Sequence, residues 1–388
     1  MAKTLYCAKL LIDGTGKPPI ADAAVCTEGS RILSVGRRVD FGSDFEGSRV
    51  DLGEQTLLPG LIDCHNHICL DASIPNWPTK FDVSDIELTL RAVRNMDADL
   101  QAGVTTARCL GDRSFIDVHC KRAVASGNLP GPSLLIATRG IRATHGHGLI
   151  GYAFDGVESV RRVIRENIKA GADLIKLFLT GTVPADPITC YLSIEEIKVT
   201  IEEAHRAGLP VTAHCIGGVG FDLCLDLEID CLEHGYFLTE RQIERLAKTG
   251  TWLVLTPSPY LSDEWQSTVP KELAAGFWNG REAASQSMSA IIRSGAKYAV
   301  GTDGLHGRLG QDINYLVQLG ASPAEALAAA TRKAAEVCGR IQQVGTLEAG
   351  KCADMIGVAG NPLTDIAAVN RVQTVIARGR IIRRKESV

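Results

Sequence analysis

The chain has 388 residues, 45% hydrophobic and 22% charged, a balance that buries a substantial core and excludes a disordered chain, a fibrous repeat or a small disulfide-stapled module. Lys and Arg number 41 against 45 Asp and Glu, a net charge of −4, with no like-charged block beyond the short basic end Arg378 to Lys385, so neither nucleic acid nor an anionic membrane is an expected partner. The 12 cysteines are scattered singly, as suits reduced thiols in a cytoplasm; Met1 to Gly16 lacks a signal-peptide core, and no apolar run of roughly 18 residues occurs.

Taken in chain order, Thr4 to Ile12, Ala24 to Thr27, Arg31 to Val35 and Thr56 to Leu58 read as short β segments separated by Gly and Asp turns. From Gly60 the pattern changes to short apolar strands alternating with amphipathic helices, the mark of repeated βα units and a parallel sheet. The predicted strands are Leu61 to Cys64, Val104 to Cys109, Ser133 to Ala137, Leu174 to Leu179, Val211 to His214, Cys231 to His234, Trp252 to Leu255 and Tyr298 to Gly301. Eight such units point to a barrel. Ser193 with Glu196, Thr239 with Gln242, and Ser322 with Pro323 and Glu325 read as helix N-caps. After about Gln342 the chain returns to β texture over Asp354 to Val358 and Val372 to Ala377. The expected organisation is therefore a barrel over residues 60–341 and one β domain from residues 1–59 and 342–388.

The informative polar residues fall at predicted strand ends, where barrel enzymes keep their sites. In Asp63-Cys-His65-Asn-His67 the two histidines are two apart on an extended chain and present both imidazoles to one side. Alone, that motif carries little. Lys176 sits mid-strand, and alternation puts Leu174, Lys176 and Phe178 on one face and Ile175, Leu177 and Leu179 on the other. An unpaired ammonium inside a barrel is costly, so Lys176 must be paired, deprotonated or chemically modified. His214 and His234 each end a strand, and Asp303 follows the last one. A strand-end His is commonly a hydrogen-bonded core residue and a strand-end Asp commonly a helix cap. Five coincidences at successive strand ends make that account poor. Together the residues supply donors for two divalent ions if the lysine carries a carboxylate.

With Pro59-Gly-Leu-Ile-Asp63-Cys-His65-Asn-His67, the Asp173-x-x-Lys176 strand, the two single histidines, Gly301-Thr-Asp303 and the closing Gly350-Lys-Cys-Ala-Asp354, the chain resembles the amidohydrolase superfamily over nearly its whole length. Within it, the resemblance is to the imidazolonepropionase-related and Xaa-Pro dipeptidase-like metal hydrolases. It implies a (β/α)8 TIM barrel with a composite β-sandwich from both termini. It also implies a binuclear centre, with zinc the expected metal, bridged by a hydroxide and by Lys176 carboxylated by CO2. His65, His67 and Asp303 would hold one ion, His214 and His234 the other.

In the resembling deaminases a glutamate shortly follows the fifth-strand histidine. Here Cys215-Ile-Gly-Gly218 follows His214, which favours amide hydrolysis over deamination. Asp303 would take the proton from the hydroxide and pass it to the leaving nitrogen. In the Gly-rich loop Arg139-Gly-Ile-Arg142-Ala-Thr144-His145-Gly-His147, His145 is the histidine expected to meet the substrate, with Arg142 and Arg139 beside it for a carboxylate. Tyr236 is a candidate to polarise a carbonyl, although relatives place that tyrosine where Phe237 stands. Arg108, followed by Cys109 where relatives continue with an acid, is a further candidate contact. The loops Leu70 to Pro78 and Thr256 to Tyr260 offer apolar pocket walls. His119, His205 and His306 read as bystanders. A dipeptide or an N-acyl amino acid is the expected small-molecule substrate, a cyclic amide or a xenobiotic amide or carbamate the alternative, and a homo-oligomer stays open. A non-enzymatic scaffold of this fold characteristically loses metal ligands, and none is lost here.

Overall fold

A computed structural model describes residues 2–384; the last four residues of the expected 342–388 segment, Lys385 of the basic end among them, lie outside the described residues. Near the N-terminus run β1 (Lys3–Leu11), β2 (Ile20–Glu28), β3 (Arg31–Arg37), β4 (Ser48–Asp51) and β5 (Gln55–Pro59). The next ten strands are β6 (Leu61–Asn66), β7 (Val104–Cys109), β8 (Ser133–Ile136), β9 (Ile141–Arg142), β10 (Tyr152–Ala153), β11 (Ile175–Phe178), β12 (Val211–Gly217), β13 (Cys231–Phe237), β14 (Trp252–Leu255) and β15 (Tyr298–Val300). The chain closes with β16 (Met355–Ala359), β17 (Val372–Ala377) and β18 (Arg380–Arg384).

The two ends of the chain share one eight-stranded sheet, in the order β18-β17-β16-β5-β1-β2-β3 with β4 beside β1. The joint is the antiparallel pairing of β5 with β16, Met355 opposite Pro59 through to Ala359 opposite Gln55. Alternation along β1 explains why this sheet is buried on both sides. Tyr6 and Ala8 join Leu57, Met355 and Ile376 in one apolar cluster, while Leu5 and Cys7 join Ala24 and Cys26 in another.

Between the two halves of that sheet lies a TIM-barrel-like α/β unit. Its parallel strands form two hydrogen-bonded arcs, β6-β7-β8 and β11-β12-β13-β14-β15, with the short β9 and β10 at the edge of β11. The Asp173 amide donates to the Ile136 carbonyl at 2.8 Å at one seam, and the Asp303 amide to the His65 carbonyl at 2.9 Å at the other. Helices cover the arcs because their apolar residues recur at helical spacing. In the helix Val157–Ala170 the buried stripe is Val160, Val163, Ile164 and Asn167. The capping residues read from sequence hold: Ser193, Thr239 and Ser322 each accept from the backbone amide three residues on, and the side chains of Glu196, Gln242 and Glu325 return the bond. No helix among the described residues is long and apolar enough to cross a membrane, and all 12 cysteines are unpaired.

Candidate metal centre

Strand alternation sends Asp63, His65 and His67 inward from β6, Lys176 from β11 and His214 from β12. On β13 alternation selects Cys231 and Glu233; His234 is turned in by a left-handed backbone, φ +76°, and Asp303 beyond β15 by φ +54°. Non-glycine residues in that region are strained, and such strain concentrates at functional sites. Gly301 makes the crowding possible, since a Cβ there would stand 2.4 Å from the His65 amide nitrogen.

The histidine rings converge, with centroids of His65 and His234 4.7 Å apart, His65 and His67 5.2 Å, and His214 and His234 4.4 Å. Nε2 of His65 lies 3.3 Å and Nε2 of His67 3.7 Å from Oδ1 of Asp303. Ligand atoms of His65, His234 and Asp303 fall within 4.8 Å of one another, so Asp303 neighbours a histidine of each expected set rather than one set alone.

Each ring has its far nitrogen committed. Nδ1 of His65 donates to Glu233 at 2.8 Å, Nδ1 of His67 to the Gly111 carbonyl at 2.8 Å, and Nε2 of His214 to the Gly181 carbonyl at 3.0 Å. Nδ1 of His234 is 2.7 Å from the Thr256 hydroxyl. This leaves a lone pair of each ring free for the centre, the arrangement of metal-ligating histidines. Burial pushes His67 down to about 3 and His214 and His234 well below the ordinary imidazole value, so all three are neutral. Burial raises the Asp303 carboxyl, but His65, by charge and by hydrogen bond, outweighs it and holds the group below the ordinary carboxylate range.

Among the residues expected to ligate metal, two buried side-chain atoms have no hydrogen-bond partner: Nζ of Lys176 and Nε2 of His234. Burial, the largest influence on Lys176, lowers its amine to about 8. Orphaned donors and acceptors of this kind are rare and costly in a folded protein. A cation-binding centre accounts for both.

The remaining expected contacts fare differently. Tyr236 lines the cavity above the histidines, yet its hydroxyl is committed to Thr256, the residue that holds His234. His145 is exposed and packs edge-on against Tyr191. The histidine of that loop at the centre is His147, which lines the cavity and stacks on His214 at 4.5 Å, pushed down to about 4 by burial. Arg142 donates to the carbonyls of Ala143, Thr144 and Gly146, so it braces the loop and does not line the cavity.

Arg108 lies away from the cavity wall. Its guanidinium is buried below the histidines, donating to the Cys64 carbonyl at 2.7 Å and to Glu233 at 2.6 Å. Glu233, absent from the sequence reading, is the missing member of the centre: it bridges Arg108 and His65, and although burial raises it, Arg108 and His65 hold it at about 2. His306, read as a bystander, is buried against Asp99 at 2.8 Å and stands outside the cavity. His119 and His205 are exposed, as expected.

The cavity above the histidines has a volume of about 180 Å³ and is walled by Leu70, Trp77, Phe81, Ile150, Trp265 and Phe277. A larger cleft of about 840 Å³ opens at the opposite ends of the strands, beside Arg108, Cys231 and Cys338. It holds none of the converging histidines and is not the site.

Glu233→Gln keeps the side-chain shape and removes the charge. We expect metal affinity to fall about 10–100-fold through the loosened His65, and stability to fall by about 3–5 kcal/mol because Arg108 is left buried and unpaired. Metal titration and denaturant unfolding measure the two separately; unchanged metal affinity would mean that His65 needs no help from Glu233.

Residues 56–382 match the profile of the amidohydrolase family. The chain is 29% identical to ochratoxinase of Aspergillus niger, over 96% of this chain and 84% of that protein. It is 24% identical to imidazolonepropionase of Acinetobacter baumannii, over 87% of each. Among solved structures, a Xaa-Pro dipeptidase with methionine bound in its active site superposes with a TM-score of 0.88 at 26% identity, covering 98% of this chain and 100% of that one.

Proposed function

Since the chain belongs to the amidohydrolase family and is a hydrolase acting on C–N bonds, we propose that it hydrolyses the amide or carbamate bond of a small molecule with two divalent ions, zinc first among them. The observation that carries this reading is the buried, partnerless Lys176 amine among four imidazoles with their far nitrogens committed. His65, His67 and Asp303 would hold one ion and His214 and His234 the other, with Lys176 between them as a carbamate, formed when Nζ adds CO2 and loses a proton. When bound, such ions polarise a carbonyl and lower the pKa of water into the neutral range.

The protein side chains then have separate tasks. Asp303, ionised beside His65 and His67, takes the proton of the attacking water and returns it to the leaving nitrogen, base first and acid second. Neutral His147, on the cavity wall, is the donor toward the carbonyl oxygen, the role that sequence assigned to its neighbour His145. Tyr236 steadies His234 through Thr256. The two parallel arcs are taken to close into one (β/α)8 barrel, supported by the backbone bonds at both seams.

The anionic half of the expected substrate meets no Arg or Lys on the cavity wall among the described residues. A dipeptide or N-acyl amino acid calls for a cation at its carboxylate, and Arg142 and Arg108 are committed to the protein itself. The alternative, an amide or carbamate without that requirement, fits the cavity better. Nor does the stretch after His214 offer a ring-protonating acid, since Cys215 and Ile216 are buried apolar neighbours. Purified enzyme is expected to carry close to two divalent ions per chain and to split members of an amide and carbamate library, while releasing no ammonia from aminopurines, guanine or cytosine. Active enzyme with no metal, or efficient ammonia release, overturns the proposal.

A further inference from the structure

The side chain of His306 is buried with both ring nitrogens committed, Nδ1 to Oδ2 of Asp99 at 2.8 Å and Nε2 to the Leu70 carbonyl at 2.8 Å. A neutral imidazole carries one N–H and one acceptor. A carbonyl cannot donate, so the Nε2 contact needs a proton on the ring. Asp99 accepts at both oxygens, from the Asn66 side chain at 3.0 Å and from the Gly307 amide at 2.8 Å, so the Nδ1 contact needs a second. The partners therefore make this ring an imidazolium. Burial lowers its pKa, but Asp99, by charge and by hydrogen bond, and the Leu70 carbonyl outweigh burial and hold it at about 9.

What this cation joins is the frame of Asp303. His306 and Gly307 belong to the segment after β15, Leu70 to the segment after β6, and Asp99 to the helix Asp85–Gln101. The two segments also meet where the Ala72 amide donates to the Gly304 carbonyl at 3.0 Å and where the Asp303 amide donates to the His65 carbonyl at 2.9 Å. From Asp99 the bonds run on through Asn66 to Asp63, which accepts from both the amide and the hydroxyl of Thr302. Asp303 is thus bracketed by Thr302 before it and His306 after it, in one network anchored on β6. Its left-handed backbone, φ +54°, persists only where the surroundings over-determine it. The charged groups that face His306 are Asp99 from the helix and Asp71 from the segment after β6, the latter paired with Arg94 of the same helix. Among the described residues Asp99 has no ion-pair partner but His306.

Resting on the amide-hydrolase reading and its use of Asp303, we propose that His306 is a positioning residue for the reaction: as a cation it locks the Asp303 segment onto β6, and its deprotonation frees that segment and sets an alkaline limit to turnover.

Zinc-loaded wild-type enzyme and His306→Gln, compared on the neutral amide 4-nitroacetanilide, test this. At about pH 7.5 the variant is expected to show a kcat about 10–10²-fold lower, the loss that follows a misplaced reacting group, with KM within about twofold. By about pH 10 wild-type His306 has lost its proton, and the ratio is expected to shrink about tenfold. A merely structural histidine leaves the ratio the same at both pH values, which overturns the proposal. Asp99→Asn keeps the ring and removes its counter-charge, and serves equally if His306→Gln does not fold. It is expected to move the alkaline limit of kcat down by about one pH unit or more; an unmoved limit overturns the proposal. NMR of the zinc-loaded, histidine-labelled protein gives a reading free of any substrate. The His306 ring is expected to be doubly protonated at neutral pH and to lose a proton near about 9; a ring already neutral at neutral pH overturns the proposal whatever the enzyme cleaves. If 4-nitroacetanilide is not cleaved, that result counts against the amide reading alone, and zinc affinity replaces kcat. With Asp303 an expected ligand, His306→Gln should bind zinc about tenfold more weakly at about pH 7.5, by a margin that shrinks toward pH 10, and equal affinity overturns the proposal.

Discussion

Lys176→Ala is expected to abolish the centre. Metal content should fall from close to two ions to less than one per chain, and turnover by about 10³-fold or more, the order of loss when a group that fixes charge at a reacting centre is removed. The reason lies in the surroundings of the amine. Lys176 is completely buried and its Nζ has no hydrogen-bond partner; burial outweighs Glu233 and Asp303, which favour its charge, and lowers the amine to about 8. Alanine leaves a gap at the bridging position, and acetate or propionate is expected to restore part of the metal binding and part of the rate. Lys176→Met separates structure from chemistry. It replaces a buried, unpaired amine by an apolar chain of similar length and is expected to leave the metal-free protein as stable or more so while the activity is lost. A density map with both metals bound and an unmodified ammonium at Lys176 would refute the carbamate.

Asp303→Asn carries the second large effect. The backbone at Asp303 has φ +54°, a conformation Asn tolerates better than Ala, so the amide tests the carboxylate without forcing the loop to rearrange. Removing the base should lower kcat by about 10²-fold or more, and the weakened ligand adds to that loss. Wild-type metal content is therefore restored by excess metal before rates are compared. A variant that kept near-normal turnover with its metals in place would assign proton transfer elsewhere, His147 being the nearest alternative.

The parts of the site legible in the sequence are those that strand alternation governs. His65, His67, Lys176 and His214 sit at inward positions of strands whose apolar neighbours announce them, and the structure brings them together with His234 and Asp303. Val104 to Cys109, Trp252 to Leu255 and Val372 to Ala377 were bounded from sequence as the structure has them, because apolar runs between Gly, Pro and polar turns leave little latitude. Periodicity says nothing in the Gly-rich loop after β9, so sequence alone does not separate His145 from His147, which differ only in which way an irregular backbone turns them. The strand position of Arg108 marks it as inward, but how deep an inward side chain sits depends on stagger between strands, which one sequence does not carry. Glu233 had a usable signal, a carboxylate at an inward position of β13 that burial would not tolerate without a cation and an imidazole beside it. Trp77 fell within a loop already read as a pocket wall; Trp265 did not, because the short helix Asp263–Gln266 gives too few residues for a pattern.

The pairing of β5 with β16 also sets an order of events on the ribosome. β5 ends at Pro59 and its partner begins at Met355, so nearly three hundred residues of barrel are made while one edge of the N-terminal strands stays open. An unpaired apolar edge of this kind is the feature most prone to pair with the wrong chain. The histidines, Lys176 and Asp303 all lie within the intervening stretch, so every ligand of the centre has been synthesised before that edge is covered. A truncation ahead of Met355 would leave the ligands intact and the edge of β5 bare, and the product is expected to be lost to aggregation rather than to a failure of chemistry.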